Sequence, residues 1–447
     1  VRKKMGSIRL GVKKINITPD WPVSLLGYFN ERISKGVLDP LYCRMAALEG
    51  EKGHLLFVQL DSCLILKEDA DRLKSLIEAT GAYRQSEILV FTNHTHTAPA
   101  LTDFFKTRRE SRYVDWLIGR VTEEAALLRP EKSYTTKIAS SSYTGLSYNR
   151  RWYMDDGTVA TNPPKRSPRM KKPEGPVDRT VQVVVFQSAE GSLDAFFVNI
   201  SNHTDTIGGK KISADWTGFM ESFIQDELGT GITVFPLIAP QGNINHFEFG
   251  SEQNQTSYEE ARRLGRAYAR EVIDAVRTCT PFCAERLSAR TESIQIPPRK
   301  VTGSQIKQAQ ALINDFQPGE DDRNLTSEDI FKGDLAVERL FAEELLQFVS
   351  HRPREYGVPL QIVRLGEIAF CTLPGEPFVE IGLHLKSVSG PNTVFPVALA
   401  NGYFGYIPLR ECFGRGGYEI RATVRNCLSR KAAELIVAWH SNELQGR

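Results

Sequence analysis

Residues 55–96 constrain the fold of this chain more than any other stretch, because they read as a strand, a helix and a second strand. Leu55-Leu56-Phe57-Val58-Gln59-Leu60 and Ile88-Leu89-Val90-Phe91 are apolar runs of strand length, and the charged stretch Glu68–Ala79 between them reads as a helix. Parallel strands need a crossover of this kind, so the pattern predicts a β-α-β unit in a sheet packed against helices. The second strand runs into Thr92-Asn93-His94-Thr95-His96-Thr97. On extended backbone, positions i and i+2 face the same way, so both imidazoles are expected at one point at the carboxyl end of the strand. The chain has only 8 histidines in 447 residues, and pairing two of them points to metal binding or proton transfer.

The same alternation continues. Val181–Gln187 and Asp194–Ile200 read as a hairpin around Glu190-Gly191, Ile232–Phe235 as a strand, and Tyr258–Val276 as an amphipathic helix. Residues 301–350 turn polar and helix-rich, which predicts a helical insertion; Gln361–Cys371 and Thr393–Ala400 return to strand, and Lys431–Trp439 form a closing helix. The expected fold class is α/β, with mixed sheet or sheets flanked by helices in a single large domain over residues 1–447 and no C-terminal β-sandwich domain.

Composition removes some function classes. With 56 basic against 54 acidic residues, nothing calls for nucleic acid as partner. No apolar run is long enough to span a bilayer, so no transmembrane segment is expected. Seven scattered cysteines, an odd number, suit reduced thiols and a cytoplasmic location rather than a disulfide framework. The basic, proline-rich stretch Pro163–Pro176 reads as an exposed loop.

Four further polar islands each follow an apolar strand, where open α/β sheets bind ligands. They are Asn199–Asp205 with His203, Ala239–His246, Leu373–Pro377 with Glu376, and Ala398–Tyr406. Taken singly, His203 could be a buried structural histidine, Glu376 a helix-start charge, and Tyr406 a packing residue with Tyr403 as its competitor. Asp61, after its own strand, could orient a metal-bound histidine or sit in a surface turn.

In this order the islands resemble the neutral/alkaline (non-lysosomal) ceramidase family of zinc-dependent amidases, over that family's N-terminal catalytic domain. Asn93-His94-Thr95-His96-Thr97 is like its paired-histidine motif, His203 like its downstream histidine ligand followed by Ser213-Ala214-Asp215, and Pro374-Gly375-Glu376 like its acidic ligand. Tyr406 and Tyr418 reproduce the family interval between a tyrosine ligand and a catalytic tyrosine, and Asn149-Arg150 resembles a substrate-contacting pair. The resemblance implies zinc held by His94, His203, Glu376 and Tyr406. It also implies His96, Tyr418 and Arg150 in catalysis, and Asn245, Asn149 and His246 at the substrate. One departure is plain: Gly242-Asn243-Ile244-Asn245-His246-Phe247 puts Asn245 where the family has its active-site serine.

The resulting expectation is a soluble zinc-dependent hydrolase in which metal-activated water attacks an amide or ester carbonyl, in a substrate other than ceramide. His96 would move protons, and Tyr418 and Arg150 would face the oxyanion. The rim is expected from Leu101–Arg109, Asn149–Pro176 and Asn243–Gly250, with Trp152 and Tyr153 suiting a sugar-like ligand as well as an N-acyl group. Two alternatives stand beside this: a metal-dependent carbohydrate-active enzyme, and a non-catalytic binding protein. The expected partner is a small molecule, and a homo-oligomer is compatible with the sequence.

Overall fold

A computed structural model describes residues 7–316, 325–388 and 393–446. The larger sheet contains β1 (Ile8–Asn16), β2 (Tyr42–Glu49), β3 (His54–Leu60), β4 (Ile88–Thr92), β5 (Lys132–Ser142), β6 (Thr180–Ser188), β7 (Leu193–Ile200), β8 (Thr233–Ile238) and β9 (Thr280–Phe282). Their spatial order is β8-β7-β6-β5-β1-β2-β3-β4, with β9 added against β5. The pairs β3/β4 and β7/β8 are parallel, and the other pairs are antiparallel. A second sheet holds β10 (Leu287–Ile296), β11 (Tyr356–Leu365), β12 (Ile368–Leu373) and β13 (Thr393–Ala398), with only β12/β13 parallel.

The two sheets pack face to face. Phe57, Phe91, Phe197 and Phe235 of the larger sheet meet Val363, Phe370 and Phe395 of the smaller one in a single apolar layer. The outer face of the larger sheet is covered over β1–β4 by α1 (Lys67–Ala79) and α2 (Ser111–Leu127), through Leu73, Ile77, Tyr113 and Val114. Over β5–β8 it is covered by α3 (Asp215–Leu228) and α4 (Tyr258–Arg277), through Trp216, Met220, Leu264 and Tyr268. The smaller sheet is backed by α8 (Val379–Ser387) and α9 (Ala432–Gln445). Strands apolar on both faces follow from this four-layer arrangement, which explains why β3, β4 and β8 read as continuous apolar runs rather than alternating ones. The mixed α/β class expected from the sequence is the class observed.

Residues 303–351 hold α5 (Gly303–Asp315), α6 (Ser327–Lys332) and α7 (Leu335–His351), with positions 317–324 of the expected insertion outside the described residues. Two readings need correction. The stretch read as one strand over 361–371 is a hairpin of β11 and β12, turned at Gly366, where φ is 58°. The Pro163–Pro176 stretch contributes a short strand, Met170–Pro173, to a small three-stranded sheet, and its cations pair locally, Arg169 with Asp155 and Asp156.

Buried amides lock the two sheets together near one end. Asn199 donates to the carbonyls of Leu237 and Pro396, in different sheets. Asn401 accepts from the Val90 amide and donates to Gln361, which in turn donates to the Ile88 carbonyl. Polar groups this deep are tolerated only when bonded, and here the bonding joins β4 and the middle of β11 to the turn just after β13. None of the described helices is long and apolar enough to cross a membrane, and all seven cysteines are free thiols.

Candidate metal centre

The carboxyl end of β4 delivers the histidine pair by a different local geometry than expected. His94 has φ 66°, in the left-handed region that costs a non-glycine residue energy. An extended His-x-His is therefore not what aligns the rings; the kink at His94 is. Asn93 pins it: its side chain accepts from the Ser62 amide at 3.1 Å and donates to Asp61 at 2.9 Å and to Thr217 at 2.8 Å. Asp61 is fixed by buried Arg44 at 2.8 Å. Asp61 thus steadies Asn93, the neighbour of His94, and makes no bond to a histidine.

His203 follows β7, and Glu376 follows β12 across the sheet-to-sheet boundary. The three ligand atoms form a nearly equilateral triangle: His94 Nε2 to His203 Nε2 is 3.2 Å, His94 Nε2 to Glu376 Oε2 3.3 Å, and His203 Nε2 to Glu376 Oε2 3.4 Å. Ligands at roughly 2.0–2.1 Å from a tetrahedral zinc ion stand about 3.3 Å from one another, so the spacing fits. The donor set fits as well. His94 Nδ1 faces the Cys63 carbonyl at 2.7 Å, and His203 Nδ1 faces the carbonyls of Ile244 at 3.1 Å and Gln241 at 3.3 Å. With protons on both Nδ1 atoms, both Nε2 lone pairs point at each other, which repels unless a cation is shared. Glu376 Oε2 is buried without a hydrogen-bond donor, whereas Oε1 accepts from the Tyr403 hydroxyl at 2.6 Å. These three residues could hold a metal ion.

Electrostatics agree. Burial alone would raise the Glu376 carboxyl, but His94, Arg150 and the Tyr403 hydroxyl bring it down to about 2, so it is ionised. Burial, with Arg150 adding to it, pushes His203 well below the usual imidazole range and keeps it neutral, as a ligand must be. Burial opposes a charge on His94 too, yet Glu376 pulls it well above its ordinary value. The buried carboxylate demands positive charge beside it.

Around the triangle, His96 places Nε2 3.3 Å from His94 Nε2 and Nδ1 3.5 Å from Asp205 Oδ1. Burial first, then His94, lower its pKa. No side chain fits at position 27, where a Cβ would come within 2.5 Å of the His96 ring and φ is 113°. Arg150 donates to the Gly242 carbonyl at 2.6 Å and to Glu419 at 3.2 Å, and its guanidinium lies 5.4 and 5.3 Å from the ring centroids of Tyr406 and Tyr418. Gly242 itself packs against the Glu376 backbone, where a Cβ would meet the carbonyl oxygen at 2.4 Å. Burial raises both tyrosines, so both phenols are protonated in this setting.

A cavity of about 300 Å³ opens beside the triangle, lined by His96, His203, Arg150, Asn245, His246, Tyr406 and Tyr418 among others. Asn245 donates to Asn162 at 2.6 Å, and His246 faces the Gln255 carbonyl at 2.6 Å. Asn149 is placed elsewhere: its side chain donates to the Pro176 carbonyl and accepts from the Arg151 amide, away from the cavity lining. Arg151, the neighbour that could have replaced Arg150, is spent on Glu174 and Glu419. Trp152 packs on Phe249 and, like Tyr153, does not line the cavity, so the rim is not the sugar-like surface expected of them.

Several lining residues escape a reading by motif. Phe29, Phe104, Phe105 and Phe341 form an apolar wall, joined by Leu325 and Ile330 from the helical segment. Asp205 accepts a hydrogen bond from the Tyr28 hydroxyl, and behind the lining fully buried Glu419 holds Arg150, Arg151 and Thr161. The signal available for the last two was adjacency, since Asp205 stands two residues after His203 and Glu419 directly after Tyr418.

No protein-family model and no curated protein matches this sequence. Solved structures do match. The crystal structure of neutral ceramidase from Pseudomonas aeruginosa superposes with a TM-score of 0.71 at 16% identity, over 99% of this chain and 75% of that one. A ceramidase complexed with C2 gives a TM-score of 0.73 at 16% identity, over 98% of this chain and 75% of the other. Across nearly its whole described length, this chain therefore has the fold of neutral ceramidase.

Proposed function

We propose that this protein is a metal-dependent hydrolase that cleaves an amide, or an ester, bearing an apolar group. The observation that carries the reading is the buried triangle of His94 Nε2, His203 Nε2 and Glu376 Oε2, each edge 3.2–3.4 Å, with an ionised carboxylate oxygen that no donor satisfies. Zinc is the ion proposed, with Tyr406 as its fourth protein ligand; bound there, it supplies Lewis acidity and brings the pKa of water to about 7.

The remaining roles belong to the chain. His96 accepts a proton from the attacking water and returns it to the leaving nitrogen or oxygen, a contribution typically worth about a hundred- to ten-thousandfold. Arg150, held in place by Glu419 and the Gly242 carbonyl, and the Tyr418 hydroxyl stabilise the negative charge that grows on the carbonyl oxygen. Asn245 and His246 contact the substrate from the same cavity. The wall of Phe29, Phe104, Phe105 and Phe341 takes the apolar part and excludes water from it. A substrate other than ceramide is proposed because Asn245 stands where the resembled family has serine. The carbohydrate-active reading has no comparable observation, since Trp152 and Tyr153 lie off the cavity.

The test is hydrolysis of a panel of neutral N-acyl amides and esters by purified protein, before chelation, after chelation and after zinc return. The expected result is turnover that disappears with chelation and reappears with one zinc equivalent. Turnover indifferent to chelation, or no turnover by zinc-loaded protein, contradicts the proposal.

A further inference from the structure

We propose that the cavity also holds an anion subsite at Arg425, so that the substrate of the hydrolase reading above carries a carboxylate in addition to its apolar part. Two cationic side chains, Arg150 and Arg425, line the cavity. Arg150 is anchored by Glu419 at 3.2 Å and the Gly242 carbonyl at 2.6 Å, beside two tyrosine rings, and its role above is at the carbonyl oxygen. The Arg425 side chain, among the described residues, has no hydrogen bond and no ion pair, and its Nε is buried with no acceptor. Glu344 lies near enough to feel its charge, yet it accepts from the Val424 amide at 3.1 Å and forms no ion pair with Arg425. Asp205, the acidic residue of the lining, accepts from the Tyr28 hydroxyl and forms no ion pair with Arg425.

A partly buried guanidinium with an orphaned N–H pays a desolvation cost that a ligand oxyanion would relieve. The planar fork matches a carboxylate by paired N–H···O bonds. Its position is relevant to the reaction: Arg425 lines the same cavity as Tyr403, whose hydroxyl is bonded to Glu376, and as Leu325, Ile330 and Phe341. An apolar wall and a free cation flanking one candidate centre suit an N-acylated amino acid, with the acyl part on the phenylalanines and the carboxylate on Arg425.

The experiment uses the zinc-loaded full chain and two ligands that contain no hydrolysable bond, hydrocinnamate and phenylpropanol, titrated by calorimetry. Hydrocinnamate is expected to bind about tenfold more tightly than the alcohol. Arg425→Gln should remove that preference while the alcohol still binds, and Arg425→Lys, which keeps the charge and loses the fork, should keep part of it. The proposal is overturned by equal binding or no binding of both ligands to the wild type. It is equally overturned by a preference that persists in R425Q, because the zinc ion or Arg150 then takes the carboxylate, or by one undiminished in R425K. Failure here is separable from failure of the hydrolase reading, which is scored by turnover of neutral N-acyl amides.

Discussion

At the scale of single residues, each candidate ligand atom is aimed by a partner that fixes the opposite side of its group. The Cys63 carbonyl aims His94, the carbonyls of Ile244 and Gln241 aim His203, and the Tyr403 hydroxyl aims Glu376. Tyr403→Phe leaves Glu376 Oε1 without its donor, and zinc affinity is expected to fall by about 10- to 100-fold in a chelator competition titration. His96→Asn should lower kcat by about a hundredfold or more, with one zinc still bound by elemental analysis; loss of the metal instead would place His96 among the ligands. His94, His203 and Glu376 were legible in the sequence because each sits in a short polar island directly after an apolar run. What was not legible is how they are aimed. The kink at His94 is held by Asn93, and Arg150 and Arg151, which share Glu419, are told apart by Glu174, which takes Arg151, and by the Gly242 carbonyl, 92 positions away, which takes Arg150.

At the scale of elements, the centre hangs on strand ends, and one wall of the cavity comes from the helical segment. Phe341 of α7 packs edge-on to Phe29 and Phe105, with ring centroids 5.8 and 5.3 Å away. Phe341→Ala is expected to raise KM for bulky N-acyl amides by about tenfold and to leave KM for the matching N-acetyl amide little changed; equal effects on both would mean the wall does not touch substrate. Helix α9 is anchored to β12, the strand that leads to Glu376, by the buried His440 ring, whose Nε2 faces the Thr372 carbonyl at 2.8 Å. Burial lowers His440 from 6.5 to about 4. The folded state therefore binds its proton less readily than the unfolded chain. The associated stability is complete above pH about 6.5 and is lost as pH falls from there through about 4, by about 3 kcal/mol at most. In His440→Gln, denaturant unfolding between pH 7 and pH 4 should show a correspondingly smaller acid loss. An identical acid profile would contradict the assignment. Periodicity exposes most of these elements; the turn at Gly366 needed local turn chemistry instead, since Gly366-Glu367 interrupts the apolar residues there much as Glu190-Gly191 does in the earlier hairpin.

At the scale of the whole molecule, two sheets meet so that tips of β4 and β7 from one and β12 from the other converge on a shared point. Class and strand positions could be read from apolar runs, whereas sheet order and the face-to-face packing could not. Those are set by pairing between distant segments and by buried amides such as Asn199 and Asn401. On the proposed reading, a metal ion bridging both sheets would stabilise the assembly by mass action, by about 2.7 kcal/mol when free zinc is a hundredfold above its Kd. Chelation should therefore lower the melting temperature of the wild type and change that of Glu376→Gln much less. The most direct test of the central claim is anomalous diffraction at the zinc absorption edge from crystals of zinc-loaded protein. The account predicts one strong peak within bonding distance of His94 Nε2, His203 Nε2 and Glu376 Oε2 together. A peak elsewhere, or these three side chains turned away from one another with no peak between them, would contradict it.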